Sequence, residues 1–166
     1  ALAGSSSHSI GVGKLDDDST IDIFNPDTGE VWFGDGDATF TNSGQSLSTY
    51  SVNDVAIGDL DGDDDQDAIT ANNFGDRIVP WINDDSSPGH FTEQPKFGAF
   101  QVNAIEVMDI NGDGALDVVT GAPTSDGLKV YTNNGEAEFS VEFAKSGIYI
   151  DDLALADVDG DSDPDI

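Results

Sequence analysis

Three nine-residue stretches place oxygen-bearing side chains at alternate positions around a glycine. They are Asp59-Leu-Asp-Gly-Asp-Asp-Asp-Gln-Asp67, Asp109-Ile-Asn-Gly-Asp-Gly-Ala-Leu-Asp117 and Asp157-Val-Asp-Gly-Asp-Ser-Asp-Pro-Asp165. Counted from the first residue of each, positions 1, 3, 5 and 9 carry side-chain oxygens and position 7 offers its backbone carbonyl. The candidate ligands of the first of these loops are Asp59, Asp61, Asp63 and Asp67 with the carbonyl of Asp65. In the next they are Asp109, Asn111, Asp113 and Asp117 with the carbonyl of Ala115. In the last they are Asp157, Asp159, Asp161 and Asp165 with the carbonyl of Asp163.

Oxygen-only ligands on a compact loop suit calcium, which takes 6–8 of them at about 2.3–2.6 Å in flexible geometry. Magnesium demands a stricter octahedron, and zinc prefers histidine or cysteine. Two carboxylates 4 Å apart repel by about 4 kcal/mol at an effective dielectric of 20. Four on one turn would splay it, or take up protons, unless a cation neutralised them. An EF-hand loop begins similarly but closes with a bidentate glutamate at position 12 between helices. Position 12 here is Thr70 or Thr120, and no helical pattern follows.

A fourth stretch, Lys14-Leu-Asp-Asp-Asp-Ser-Thr-Ile-Asp22, aligns with these but has lysine at position 1. Its ammonium is expected to lie among Asp16, Asp18 and Asp22 in place of a metal. The expectation is therefore calcium at two or three loops and none, or a weakly held ion, at the first.

The loops start 45, 50 and 48 residues apart, and more than the acids repeats. Apolar runs precede the last three (Val55-Ala-Ile-Gly, Ala104-Ile-Glu-Val-Met, Leu153-Ala-Leu-Ala) and follow the first three (Ile21-Asp-Ile-Phe, Ala68-Ile-Thr-Ala, Val118-Val-Thr-Gly). An aromatic pair then recurs as Trp32 with Phe40, Trp81 with Phe91, and Tyr131 with Phe139, around turn-rich segments. Short β-rich runs bounded by Gly, Asn, Asp and Pro read as strands joined by tight turns, about four per unit. A four-stranded period of this length marks a propeller blade. An irregular β-sandwich would not keep loop, flanks and aromatics in one register. The fold expected is all-β: a β-propeller-type array of four-stranded blades, with about three to three and a half repeats, incomplete as a closed propeller. Residues 1–166 form a single domain with units at about 14–58, 59–108 and 109–156 and a partial one at 157–166.

Composition narrows the function. There are 34 acidic against 5 basic residues, a formal net charge of −29. Nucleic acid is excluded as a partner, because a phosphate backbone needs clustered Lys and Arg, and anionic lipid is disfavoured. No apolar run approaches the about 20 residues needed to insert a helix in a membrane. Cysteine is absent, so no disulfide staples the fold. There is neither a Gly-x-Ser-x-Gly elbow nor a phosphate-cradling loop, and His8 and His90 stand alone in Ser/Gly-rich stretches. An enzyme is not expected.

Phe97-Gly98, then Asp109 to Asp117, then Val118-Val-Thr-Gly121-Ala122-Pro123 resemble the FG-GAP/VCBS repeat family, best known from the integrin α-subunit propeller blades. Gly34-Asp-Gly-Asp-Ala-Thr-Phe40 is similar to the family's segment downstream of the loop. The chain departs from the pattern at Lys14, and at Asp64 and Ser162 where glycine is usual. The resemblance implies a structural calcium loop joining neighbouring strands of one blade. It implies a calcium-stabilised extracellular structural or adhesion module, with a carbohydrate-binding, lectin-like propeller as the alternative through Trp32, Trp81 and Tyr131. A glycan or protein ligand is the expected partner. Open blade edges point to a homo-oligomer or filament, or to part of a longer chain. The opening Ala1-Leu-Ala-Gly4 has no signal-peptide pattern, so secretion is expected from calcium chemistry and likeness alone.

Overall fold

Among the described residues, alternating apolar residues and glycine- or aspartate-rich turns resolve into twelve strands, four to each repeat. The computed structural model describes residues 9–47, 52–72, 78–84, 86–98, 101–124, 126–160 and 164–166. The first sheet is built from β1 (Gly11–Gly13), β2 (Asp22–Asn25), β3 (Glu30–Gly34) and β4 (Phe40–Ser46). The second contains β5 (Val52–Gly58), β6 (Asp67–Asn72), β7 (Ile78–Asp84) and β8 (Ser87–Glu93). The third contains β9 (Ala104–Met108), β10 (Asp117–Gly121), β11 (Leu128–Asn133) and β12 (Phe139–Lys145). Each is an antiparallel meander in chain order, none closes into a barrel, and no helix occurs among the described residues. These are the propeller-like blades expected, in an open array.

Blades stack through two apolar layers. Between the first and second lie Leu15, Phe24, Val31, Val55, Ala68, Val79, Trp81 and Phe91, with Phe24 edge-on to Phe91 at 5.4 Å. Leu60, Ile69, Ile78, Val102, Ile105, Val118 and Tyr131 fill the layer between the second and third. Every residue of β6 and β10 is buried, as strands covered on both faces must be. The outermost strands β4 and β12 are largely exposed.

One glycine shows how closely blades approach. Gly98 has φ +79°, and a Cβ there would sit 2.6 Å from Ile78 Cδ1 and 2.9 Å from the Tyr131 hydroxyl. Its neighbour Phe97 bridges to Ile78 by two backbone hydrogen bonds of 3.0 and 3.1 Å, stacks on Phe139 at 4.6 Å and meets Tyr131 edge-on at 5.1 Å. The Phe97-Gly98 pair is thus an inter-blade wedge.

Candidate metal centre

Each acidic loop connects the first two strands of its blade: residues 14–22 join β1 to β2, 59–67 join β5 to β6, and 109–117 join β9 to β10. The stretch 157–165 is closed by an isolated bridge between Ala156 and Asp165. Asp161, Ser162 and Asp163 lie outside the described residues, as does His8; His90 is exposed.

The last aspartate of each loop does more than present a ligand. Its Oδ2 accepts the backbone N–H of position 2 in all four loops: Leu15 to Asp22 at 2.7 Å, Leu60 to Asp67 at 2.8 Å, Ile110 to Asp117 at 3.1 Å and Val158 to Asp165 at 2.9 Å. In the three blades its Oδ1 accepts an N–H from the third strand: Gly34 to Asp22 at 2.8 Å, Asn83 to Asp67 at 2.8 Å and Asn133 to Asp117 at 2.9 Å. Asp22, Asp67 and Asp117 are fully buried, so this carboxylate ties loop, second strand and third strand together. Spacing alone gave no sign of that second role.

The remaining carboxylates fold the loop onto itself through short-range turns. Position 1 accepts from position 4: Gly62 to Asp59 at 2.7 Å, Gly112 to Asp109 at 2.7 Å and Gly160 to Asp157 at 2.6 Å. Glycine fits there because φ is about +80° in each, at +82°, +77° and +83°. Position 5 accepts from position 7: Asp65 to Asp63 and Ala115 to Asp113, both at 2.9 Å.

The resulting geometry gathers three sets of carboxylates, each with one oxygen per residue inside a 4.8 Å span: Asp16, Asp18 and Asp22; Asp59, Asp61 and Asp67; Asp157, Asp159 and Asp165. Asp63 is not in the second group, its Oδ1 being directed to Asp65. The 109–117 loop differs because position 3 is Asn111, whose Nδ2 donates to Asp113 Oδ2 at 2.9 Å and whose Oδ1 accepts from the Asp113 N–H at 2.8 Å.

In the 59–67 loop the crowding has a visible consequence. Asp61 Oδ1 is buried and has no hydrogen-bond partner. Burial, then the charges of Asp63 and Asp59, push the Asp61 carboxyl above the usual carboxylate range. Burial likewise pushes Asp67 up to about 7, against the lowering effect of the Asn83 and Leu60 N–H groups. A bound cation would supply the missing partner and reverse both penalties. Asp59, Asp61 and Asp67 therefore fit a hard divalent ion, and the carbonyl of Asp65 belongs to the same turn.

The first loop corrects one expectation. Lys14 forms no ion pair with Asp16, Asp18 or Asp22: its side chain is exposed, and its backbone N–H donates to Gln66 Oε1 of the next blade at 2.6 Å. The lysine does not fill the space between the three gathered carboxylates; what position 1 contributes instead is a backbone contact to the second blade. Burial raises the Asp16 carboxyl there, with help from Asp22 and Asp18.

Of the repeated aromatics, Trp81, Phe91 and Tyr131 are packing residues, whereas Phe40 is exposed. Trp81 is 3% and Tyr131 1% exposed, so neither offers a face to a sugar ring; Trp32 is half-buried. Trp81 Nε1 donates to Thr70 Oγ1 at 3.1 Å inside its blade.

Sequence reasoning also missed two asparagines. Asn83 Nδ2 donates to the Leu15 carbonyl of the preceding blade at 2.9 Å and to Gln66 at 3.2 Å. Asn133 Nδ2 repeats this with Leu60 at 2.7 Å and Leu116 at 3.0 Å. Each lies sixteen residues after the closing aspartate of its own loop, and that shared spacing was the available signal.

No helix among the described residues is long and apolar enough to cross a membrane. No curated protein matches the chain. Residues 109–166, which run from the loop after β9 through β10, β11 and β12 to the stretch at 157–165, match the family model of the FG-GAP-like repeat.

Proposed function

We propose that the chain is a calcium-binding, calcium-stabilised module of propeller-like blades that serves an extracellular structural or adhesive role. The observation that carries the cation is Asp61 Oδ1, a buried carboxylate oxygen without a partner, held beside Asp59 and Asp67 within 4.8 Å. Leaving a charged buried acceptor unpaired costs several kcal/mol in an ordinary interior, on the order of 1–3 or more. A divalent ion turns that cost into a crosslink between the start, middle and end of one loop. Asp67 then passes the restraint to β7 through the Asn83 N–H. The ion acts as a staple in a protein without cysteine.

The same chemistry supports an extracellular setting. Extracellular calcium modules work at about 10⁻⁴–10⁻³ M affinity, a range that cytosolic calcium does not reach. The FG-GAP-like repeat at 109–166 supports this location and an adhesive use. The reading assigns no catalytic residue.

Thermal melting with calcium and with chelator, paired with calorimetric titration, tests the reading. The expected result is saturable calcium binding and a melting transition several degrees higher with the ion. Coincident melts and no heat of binding would overturn it.

A further inference from the structure

The two blade junctions inside the chain are built alike. In each, the position-2 residue of an acidic loop is buried by the following blade, Leu15 to 0% and Leu60 to 1% exposure. In each, its carbonyl is capped by an asparagine Nδ2 from that blade's third strand, Asn83 or Asn133. The same asparagine gives its backbone N–H to the closing aspartate of its own loop, Asp67 or Asp117. A glycine close behind completes the device: Gly89 N–H donates to Asn83 Oδ1 at 2.8 Å and Gly135 N–H to Asn133 Oδ1 at 3.1 Å. One residue therefore fastens its own blade and locks it to the one before.

The third blade presents the receiving half again. Ile110 occupies position 2 and is only partly buried, and no described residue donates a side-chain amide to its carbonyl. Beside it opens a cavity of about 620 Å³ lined by Met108, Asp109, Ile110, Asn111, Asp157 and Pro164. The loop at 157–165 already flanks that space, with Asp165 accepting from Val158 but exposed, unlike its buried counterparts.

We infer that this surface takes a β-hairpin of the same repeat type whose leading strand ends in asparagine with glycine close behind. Its asparagine would give Nδ2 to the Ile110 carbonyl and its N–H to Asp165, as Asn133 does for Leu60 and Asp117. The first blade of a second copy is the wrong occupant. It carries Gly34 at the asparagine position, and a Cβ there would run into the Ile21 carbonyl oxygen. The inference rests on the propeller-type reading above and is independent of the metal.

The test extends the full chain, replacing Ile166 with a copy of residues 118–156, so that the copied asparagine can reach Ile110. A second version carries glycine at that copied position. Melting and amide hydrogen exchange at residues 108–112 are measured in calcium and in chelator, with solution mass for the unextended chain. The asparagine version is expected to melt about 3 °C or more above the glycine version and to protect residues 108–112 at least tenfold more. Equal melting and equal exchange in the two versions would overturn the inference. So would a dimer of the unextended chain in which residues 108–112 are already protected. Docking that persists while chelator leaves every melt unmoved would sink the calcium reading and keep this one.

Discussion

Asn133 donates its backbone N–H to Asp117 at 2.9 Å and its side-chain amide to the Leu60 carbonyl at 2.7 Å, seventy-three residues away in the chain. A blade in this protein is consequently not an independent sheet: the residue that ties the closing aspartate of its acidic loop to the third strand also fastens it to its neighbour. Any ion held by the loop is felt at the junction, and any loosening of the junction is felt at the loop.

The closing aspartate should be worth far more to stability than its charge suggests. Asp67→Ala leaves the Leu60 and Asn83 N–H groups buried without an acceptor, which costs about 1–3 kcal/mol for each donor left unpaired. Asp165 makes the equivalent bond to Val158 in an exposed setting where water replaces it. Denaturant unfolding in chelator should therefore show a loss of several kcal/mol, about 2–5, for Asp67→Ala and an unmoved midpoint for Asp165→Ala. Equal effects would mean that burial of this carboxylate is not what matters.

Removing the ion should also give stability an unusual pH dependence. Burial raises the Asp67 carboxyl from 3.8 to about 7. A carboxyl whose folded value exceeds its unfolded one favours folding when protonated, so its contribution is fully present below about pH 4. It is lost progressively as pH rises from about 4 to about 7, because over that range the unfolded chain has released a proton that the native state still holds. In chelator, stability should fall across that window by on the order of a few kcal/mol. With calcium the fall should vanish, since the ion stabilises the ionised form. A stability curve in chelator that rises from pH 4 to 7 would show that Asp67 is ionised at little cost without metal.

The repeat, the four strands per unit and the loop turns were legible because they are local. Asp59 to Asp67 sets its own turns within nine residues, and the alternation around Ala68-Ile-Thr-Ala is a strand signal on its face. The junctions were not legible for the opposite reason. Asn83 sits in a stretch of Asn, Asp, Ser, Pro and Gly that reads as an ordinary turn, and its partner Leu15 is sixty-eight residues upstream. Lys14 was misread on similar grounds: a cation next to three carboxylates in sequence suggested a pair, but the contact the fold makes is between its backbone and Gln66. Trp81 and Tyr131 recur at the same place in their units, which favoured packing over a sugar-facing role, and the stacking of blades buries both.

Lys14 makes a clean test of loop chemistry. Asp59, Asp109 and Asp157 each accept a position-4 N–H and supply a carboxylate at the loop entrance; Lys14 can do neither. Lys14→Asp removes a positive charge beside Asp16, Asp18 and Asp22, which are already gathered within 4.8 Å. Calorimetric titration should then count one more bound calcium per chain than the parent. An unchanged count would show that position 1 does not control occupancy of this loop.

Asp64 carries a backbone cost that its counterpart avoids. It sits at φ +73° where the next loop has Gly114 at φ +93°, and it is exposed, its N–H donating to Asp59 Oδ2 at 3.1 Å. The left-handed region is disfavoured for residues with a Cβ, less so for aspartate than for most. Replacing it with glycine keeps the N–H, relieves the strain and removes one of the loop's six carboxylates, from between Asp63 and Asp65, while glycine's extra freedom in the unfolded chain offsets part of the gain. Asp64→Gly should therefore stabilise the protein by about 0.5–1 kcal/mol, with a larger gain in chelator than in calcium, because the crowding of negative charge is greatest without the ion. Unfolding curves of the two proteins in both buffers check this. A destabilised glycine variant would mean that the Asp64 side chain, and not only its backbone, holds the loop in shape.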